Sequence, residues 1–331
     1  MKLNPIFSDN AVFPANKPFS VFGTGKGHAT LIFNGITTEI NSTADKWCIE
    51  LPEMDYGGPY TLQFSSDTEE KTLSGIYVGE VFLFSGQSNM ALKLKDTNTA
   101  PKYYSESLPL LRCIQFIGAD TPSVWEEADS SRVSEWSALT YIIGKELWLK
   151  KGVAIGIITS TAGASVIESW MPENTLQNIG INIPIEEKFL DHYHEEYSKW
   201  NYDGFLYNSR ISRIIPYTVN GVVWYQGESD ASVAEGLVYC HELSELIRIW
   251  RRDFKNPDLP FVVVQIADTE SRIALGDGWK LIQKAQEEIS QVMSNVYTVI
   301  SRDICETDDI HPQSKYPLGV RIANVINKKI I

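Results

Sequence analysis

The segment from Val81 to Ser88 reads Val-Phe-Leu-Phe-Ser-Gly-Gln-Ser, a short apolar run that leads into a glycine and a serine. Further apolar runs follow it at residues 153–159, 219–225, 261–266 and 296–300. Runs that are apolar along their whole length predict strands buried on both faces of a sheet. Such strands are usually parallel and are joined by helices.

Segments with the helical spacing of apolar residues lie between these runs. In one of them, apolar residues from Leu281 to Val292 recur at steps of three and four. The predicted helices cover Trp136–Lys151, Ile185–Trp200, Ala231–Phe254, Trp279–Met293 and Lys315–Asn327. The alternation predicts an α/β domain of three layers, with its ligand site beyond the carboxyl ends of the strands.

Residues 1–75 follow a different pattern, in which short runs rich in Val, Phe, Thr and Ile are separated by turn residues. Asn34-Gly35 between two such runs predicts a hairpin turn, because both residues tolerate a positive φ. The predicted strands include Phe19–Phe22, Ala29–Phe33, Trp47–Leu51 and Tyr60–Phe64. We therefore expect a small all-β sandwich domain at residues 1–75, followed by the α/β domain at residues 76–331.

The charge balance limits the function. The 331 residues include 29 Lys and Arg against 42 Asp and Glu, which gives a formal net charge of −13. A protein with that surplus is not expected to bind nucleic acid or an anionic membrane. The start of the chain does not resemble a signal peptide, and no apolar run is long enough to span a bilayer. The chain as given is therefore expected to be cytoplasmic, unless an export signal has been removed.

The sequence predicts no cofactor. The four cysteines, at positions 48, 113, 240 and 305, are far apart and form no CxxC pair. The sequence also contains no HExxH motif and no glycine-rich phosphate loop. Neither a catalytic metal nor a nucleotide is therefore predicted.

Ser88 follows a buried strand directly, so it is expected at the edge of the sheet where reacting groups gather. A helix cap is the alternative interpretation. The wider motif decides between them, because Gly86–Met90 resembles the nucleophile block of the SGNH hydrolases and, more narrowly, of the sialate O-acetylesterase family. Later blocks that resemble the same family, in the same order, are Thr159–Met171, Val223–Asp230 and Asp308–Pro312. The resemblance implies a three-layer, flavodoxin-like SGNH-hydrolase sheet.

Ester hydrolysis requires a nucleophile, a base and donors for the oxyanion. The resemblance implies that Ser88 is the nucleophile and carries the acetyl group. It implies that His311 is the base, a role that suits a side chain whose pKa lies near neutrality. Asp308 fits the spacing of the third triad member in this class. Asp309 is a rival that the sequence does not separate from it.

The predicted oxyanion donors are the backbone N–H groups of Ser88 and Gly163, with Gln226 where the superfamily commonly has an asparagine. The alternative for Gln226 is a strand-end residue that satisfies backbone groups. The remaining predicted site residues bind substrate or support those that do: Gln87, Asn89, Glu168, Trp170 and Glu228. Aromatic residues are more often core than sugar platforms, which favours a core role for Trp170. Glu168 could instead pair with a surface cation, and Glu228 could equally be a partner of a helix N-cap.

The resemblance implies a serine esterase that removes O-acetyl groups from carbohydrate. Acetylated sialic acid is the leading substrate, and acetylated xylan or another plant glycan is the alternative. Candidate partners for a sialate carboxylate are Arg112, Arg210 and Arg213. Two other classes stay open: a glycan-binding module with an esterase-like fold, and a metal-dependent hydrolase built on His192 and His194. The sequence does not specify the sugar, the acetyl position or the oligomeric state.

Overall fold

The computed structural model of the protein describes residues 1–98, 107–118, 124–189, 199–270 and 276–331. Its strands are β1 (Lys2–Leu3), β2 (Val12–Pro14), β3 (Phe19–Thr24), β4 (Gly27–Phe33), β5 (Ile36–Ser42), β6 (Lys46–Leu51), β7 (Gly57–Ser66), β8 (Glu70–Gly86), β9 (Leu108–Gln115), β10 (Glu126–Ala128), β11 (Ile155–Thr161), β12 (Gly221–Tyr225), β13 (Phe261–Val264) and β14 (Val296–Val299).

Its α-helices are α1 (Ser88–Ala91), α2 (Ala138–Lys151), α3 (Thr175–Asn178), α4 (Ser212–Ile214), α5 (Val233–Asp253), α6 (Asp277–Val292) and α7 (Tyr316–Lys329). Short 3₁₀ turns lie at Leu94–Asp96, Val133–Glu135, Ile167–Trp170, Ile185–Glu187 and Glu228–Asp230, and a π-helical turn lies at Tyr207–Ile211. In the part of the chain that the structure describes, every helix is too short or too polar to cross a membrane.

The central sheet has the strand order β10-β9-β11-β8-β12-β13-β14. Neighbouring strands from β9 to β14 are parallel, and β10 pairs antiparallel with β9 at one edge. This confirms the predicted mixed α/β fold with a mostly parallel sheet. Because β8 lies between β11 and β12, the carboxyl ends of these three strands meet at one edge.

Helices cover both faces of this sheet. Trp224 of β12 packs edge-on against Trp250 of α5, with ring centroids 5.7 Å apart. Gly221, three residues earlier on the same strand, faces Ile330 at the end of α7. Since side chains alternate between the faces of a strand, α5 and α7 lie on opposite sides of the sheet. Helix α6 packs beside α5, and α2 packs beside α7, which completes the outer layers.

Four of the predicted helices are present as α2, α5, α6 and α7, with their ends shifted by a few residues. The fifth, Ile185–Trp200, is only a 3₁₀ turn at its start, and residues 190–198 lie outside the described residues. Those residues include His192 and His194, so the metal-site alternative falls outside the described part of the chain. The sequence patterns also missed β9, which lies between β10 and β11 in the sheet.

The N-terminal hairpin is confirmed. Phe33 at the end of β4 pairs with Ile36 at the start of β5, which leaves only Asn34 and Gly35 in the turn. These two residues have φ values of 48° and 77°. Both central residues of this turn are therefore in the left-handed region, as the Asn-Gly motif requires.

Strand β8 is shared by the N-terminal strands and the central sheet. Its first part pairs antiparallel with β7, and residues 80–86 pair in parallel with β11. The predicted boundary at residue 75 therefore falls inside a strand. The division of the chain into two domains stays a prediction.

Candidate active site

The chain turns sharply between β8 and Ser88. Gly86 ends the strand with a φ of +137°, and a Cβ atom there would lie 2.0 Å from the carbonyl oxygen of Tyr225. The next residue, Gln87, donates its backbone N–H to the same oxygen at 3.0 Å. Only glycine permits so close an approach, and the turn leaves Ser88 half-buried at the carboxyl edge of the sheet.

Ser88 and His311 are in contact. The distance from Ser88 Oγ to His311 Nε2 is 2.8 Å, although the two residues lie 223 positions apart in the sequence. His311 belongs to residues 300–315, which connect β14 to α7 without helix or strand. The fold thus brings together the two residues that the sequence predicted as nucleophile and base.

The electrostatic surroundings favour the neutral form of His311. Burial is the main cause that lowers the pKa of its imidazole. The ammonium of Lys315 lowers the pKa of His311 further, whereas the nearby Asp309 carboxylate opposes this effect. A neutral imidazole can accept the proton of a serine hydroxyl, so the shift suits a general base at neutral pH.

The two candidate acids differ in their contacts. Asp309 Oδ1 accepts the backbone N–H of His311 at 2.9 Å and lies 4.0 Å from His311 Nδ1. The second distance is too long for a hydrogen bond. Asp308 is exposed and makes no hydrogen bond or ion pair with another described residue. The contacts therefore favour Asp309 over the predicted Asp308, and the triad acid itself stays a prediction.

Gly163 lies beside the nucleophile, on the loop that follows β11. A Cβ atom on Gly163 would be 3.9 Å from Ser88 Cβ, with no other atom within 4 Å. Neither the N–H of Ser88 nor that of Gly163 donates a hydrogen bond to another of the described residues. Neither N–H group is therefore occupied within the described residues, a condition that the predicted oxyanion site requires; that site stays a prediction.

The structure does not present Gln226 as a third donor, which corrects that prediction. Its Nε2 donates to the carbonyl oxygen of Ser165 at 2.9 Å and also to the Asp230 carboxylate. Its Oε1 accepts the hydroxyl of Tyr239 at 2.7 Å. Both N–H bonds of this fully buried amide are therefore occupied within the protein. Because one of them binds Ser165, two residues after Gly163, the amide stabilises the loop that carries Gly163.

Gln87 and Asn89, on either side of the nucleophile, are both buried. Gln87 Oε1 accepts the backbone N–H groups of Gly227 and Ser229, at 3.2 and 3.4 Å. Asn89 Nδ2 donates to Glu228 Oε1 at 2.7 Å. These contacts hold the serine turn to the block after β12, so Gln87 and Asn89 support the turn from within the protein.

Trp170 and Glu168 are engaged inside the protein. Trp170 has no exposed surface, and its indole N–H donates to Ser165 Oγ at 3.0 Å. These contacts favour the core interpretation of Trp170 over the sugar-binding one, and its role in the site stays a prediction. Glu168 forms an ion pair with Lys188, with an O–N distance of 2.6 Å.

The three arginines considered for a sialate carboxylate all donate to main-chain carbonyl oxygens. Arg112 donates to Pro109 at 3.1 Å, and Arg213 to Gly118 at 2.7 Å. Arg210 donates to the carbonyl oxygen of Thr161. Their guanidinium groups thus help to hold the fold together.

A serine hydroxyl that touches an imidazole beside free backbone N–H groups is typical of serine hydrolases. Within the described residues, no group of three or more His, Cys, Asp or Glu side chains is placed to hold a metal ion. The fold and the site together define the class: a mixed α/β protein with the site of a hydrolase, in which a Ser–His pair lies beyond the central strand of a mostly parallel sheet.

Comparison with known proteins gives the family. The family model for sialic acid-specific acetylesterases, a group of carbohydrate esterases, matches residues 78–328, and the chain belongs to that family. The resemblance seen in the four sequence blocks is thereby confirmed.

Individual relatives also have names that denote esterases acting on sialate or carbohydrate. The sialate O-acetylesterase of Homo sapiens is 25% identical over an alignment 328 residues long, gaps included, and the match covers 86% of this chain and 60% of the human protein. An Arabidopsis thaliana protein named as a probable carbohydrate esterase is 25% identical over 277 residues, 76% of this chain and 91% of its own length. The crystal structure of a carbohydrate acetylesterase from Xanthomonas citri superposes with a TM-score of 0.87 at 28% identity, covering 99% of this chain and 75% of that one. The chain thus spans about 60% of the length of the human relative.

Proposed function

We propose that this chain hydrolyses O-acetyl esters of carbohydrates through an acetyl-enzyme on Ser88. The observation that carries the proposal is the 2.8 Å contact between Ser88 Oγ and His311 Nε2. Membership of the carbohydrate esterase family supports acetylated sugars as the substrate class.

In the proposed reaction, His311 Nε2 accepts the proton of Ser88 as the serine oxygen bonds to the acetyl carbonyl carbon. The negative charge that develops on the carbonyl oxygen is stabilised by the N–H groups of Ser88 and Gly163. The intermediate collapses as His311 returns its proton to the departing sugar oxygen, which leaves the acetyl group on Ser88. Water, deprotonated by the same imidazole, then releases acetate.

We propose that the acid of this triad comes from the turn at Asp308 and Asp309. Asp308 has the sequence spacing of the class, and Asp309 has the shorter distance to the ring, 4.0 Å from its Oδ1 to His311 Nδ1. Either carboxylate would stabilise the imidazolium that forms during proton transfer. Separate asparagine variants at the two positions, compared by kcat, decide between them.

Hydrolysis of p-nitrophenyl acetate by Ser88→Ala and His311→Ala tests the mechanism. We expect each variant to lose about 10³-fold or more in kcat. Ser85→Ala is the matched control, because this buried serine on β8 donates one hydrogen bond, to the carbonyl oxygen of Ser160 at 2.7 Å, and takes no part in the chemistry. Mass spectrometry of the quenched wild type should find the acetyl group on Ser88. Wild-type rates from both site variants would remove the pair from the mechanism.

Within this class, we propose O-acetylated sialic acid as the leading substrate and acetylated xylan or another plant glycan as the alternative. The named activity of the human relative supports the first. Acetate release from acetylated sialic acids and from acetylated xylo-oligosaccharides, measured side by side as kcat/KM, ranks the two. A clear preference for the xylo-oligosaccharides would overturn the sialate assignment.

The rival classes give different results in the same assays. A glycan-binding module would bind the acetylated sugars without releasing acetate. A metal-dependent hydrolase built on His192 and His194 would lose its activity in EDTA and regain it with zinc. We expect EDTA to leave the rate unchanged, because Ser88 and His311 supply the nucleophile and the base.

We also propose that residues 1–75 form a small β-sandwich and that the α/β domain is an SGNH-type, flavodoxin-like unit. Residues 1–75 contain strands and turns without a helix, which supports the first part. The mostly parallel sheet supports the second. A crystal structure of the protein tests both.

A further inference from the structure

The loop that carries the proposed base depends on tertiary contacts for its position. Residues 300–315 have neither helix nor strand, and His311 lies near the middle of their second half. Contacts within the loop, such as that between the His311 N–H and Asp309 Oδ1, shape it locally but do not fix it against Ser88. Other contacts must therefore hold the imidazole at the serine.

The Asn89 amide joins the serine turn directly to this loop. Its Nδ2 donates to the carbonyl oxygen of Ile310, the residue before His311, at 3.0 Å. Its Oδ1 accepts a hydrogen bond from Lys315 Nζ, at the end of the loop, at 2.7 Å. One side chain, next to the nucleophile in sequence, thus contacts the loop on both sides of the base.

Two buried charges fix the orientation of this amide. Lys315 and Glu228 are only 1% and 2% exposed. The ammonium of Lys315 requires the amide oxygen, and the carboxylate of Glu228 requires the amide N–H, to which it is bonded at 2.7 Å. Because each end of the amide meets a group of the matching kind, a flipped amide would lose both bonds. Burial raises the pKa of the Glu228 carboxyl, whereas the hydrogen bond from Asn89 and the charge of Lys315 oppose that shift, so the three side chains stabilise one another.

We infer that Asn89 and Lys315, braced by Glu228, are positioning residues that hold His311 in hydrogen-bond contact with Ser88. This inference rests on the proposed esterase function. These residues do not touch the reacting atoms in this arrangement. They act by fixing the position of the imidazole, because a displacement of about 1 Å can lower the rate about 10²-fold.

Asn89→Ala is the direct test, since it removes the contacts to Glu228, Ile310 and Lys315 together. We expect kcat for p-nitrophenyl acetate to fall by about 10²-fold, with KM changed far less. Inactivation of Ser88 by an organophosphonate should slow in parallel, because that reaction also needs the base at the serine. Asn89→Ser, which keeps a small polar side chain, serves the same test if the alanine variant does not fold.

Asn220→Ala is the matched control. Asn220 is also a buried asparagine, and its Oδ1 accepts the backbone N–H of Val81 at 2.8 Å, at the opposite end of the sheet from Ser88. We expect it to lower the midpoint of thermal unfolding while leaving kcat close to that of the wild type. A folded Asn89→Ala enzyme with wild-type kcat, or one whose loss of kcat is matched by Asn220→Ala, would overturn the inference.

The pH dependence of kcat/KM distinguishes the positioning of His311 from the effect of the Lys315 charge on the pKa of His311. The charged groups that act on the His311 ring are Asp309 and Lys315. Lys315 itself faces Glu228, Glu306, Asp309 and Cys305, and burial lowers its pKa to about 8. It is therefore charged on the acid side of neutrality, where its removal in Lys315→Met should raise the pKa of His311. We expect the acid limb of kcat/KM to move to higher pH in Lys315→Met but to stay in place in Asn89→Ala.

The outcomes also distinguish this inference from the proposed function. If Ser88→Ala and His311→Ala keep wild-type rates, the esterase mechanism fails, whatever Asn89 does. If those variants are inactive and Asn89→Ala is not impaired, the mechanism stands and only the positioning role is lost. An acid limb that stays in place in Lys315→Met would contradict the assigned effect of that lysine on the base.

Discussion

Replacing Asp309 with asparagine tests how strongly the acid assists the base. Its Oδ1 lies 4.0 Å from His311 Nδ1, and the two side chains are 49% and 39% exposed. Two unit charges at about 4 Å interact by about 1 kcal/mol in water, and exposed pairs rarely exceed that value. A loss of about 1 kcal/mol in transition-state stabilisation lowers kcat/KM about fivefold. A buried acid that is hydrogen-bonded to its histidine can be worth about 10⁴-fold in kcat.

The assay measures kcat/KM for p-nitrophenyl acetate as a function of pH, for Asp309→Asn and for Asp308→Asn. We expect about a fivefold reduction for Asp309→Asn at neutral pH and little change for Asp308→Asn. Because the Asp309 charge opposes the lowering of the His311 pKa, its loss should move the acid limb to lower pH. A loss of about 10²-fold or more in Asp308→Asn would refute this reasoning, because it would require Asp308 to bind the imidazole in the reacting state.

Three further substitutions follow from the site. Gly86→Ala should lower the free energy of unfolding by about 1–3 kcal/mol or more in urea titrations, because its Cβ would overlap the Tyr225 carbonyl oxygen. Trp170→Phe removes a buried hydrogen bond and should cost about 0.5–1.5 kcal/mol of stability, while KM for an acetylated sugar stays the same. A large rise in that KM would instead make Trp170 a sugar-binding residue. Gln226→Leu leaves the Ser165 carbonyl oxygen, the buried Asp230 carboxylate and the Tyr239 hydroxyl without this partner, so stability should fall by about 1–3 kcal/mol or more. A loss of about 10²–10³-fold in kcat at unchanged stability would restore Gln226 as an oxyanion donor.

The parts of the fold that the sequence predicted have local causes. The Asn34-Gly35 turn follows from the backbone preferences of two adjacent residues. Helix α6 follows from apolar residues at helical spacing within one segment. Strand β9 was missed because Arg112 interrupts its apolar run. In the structure that guanidinium is buried and donates hydrogen bonds to main-chain carbonyl oxygens, including those of Asn10 and Pro109.

Within the site, the residue types were predictable but many of their contacts were not. The motif around Ser88 and the histidine near the end of the chain identified the pair that is in contact. The partners of Gln226 and Asn89 depend on which buried groups the fold packs beside them. Asn89 meets Glu228 and Lys315 from 139 and 226 positions away. No local pattern encodes such distant pairings, so the occupied donors of Gln226 emerged only from the structure.

Strand β8 pairs both with the N-terminal strands and with the central sheet, which limits where the chain can be truncated. The strand that carries Ser88 at its carboxyl end begins at Glu70, among the N-terminal strands. A truncation at residue 75 would sever it and remove β2, which pairs with its middle. We therefore predict that the N-terminal region cannot be removed or exchanged without disrupting the strand that leads to Ser88, and that calorimetry records one cooperative melting event for both sheets. A fusion partner or an affinity tag that loosens the first strands should accordingly reduce the heat tolerance of the esterase itself.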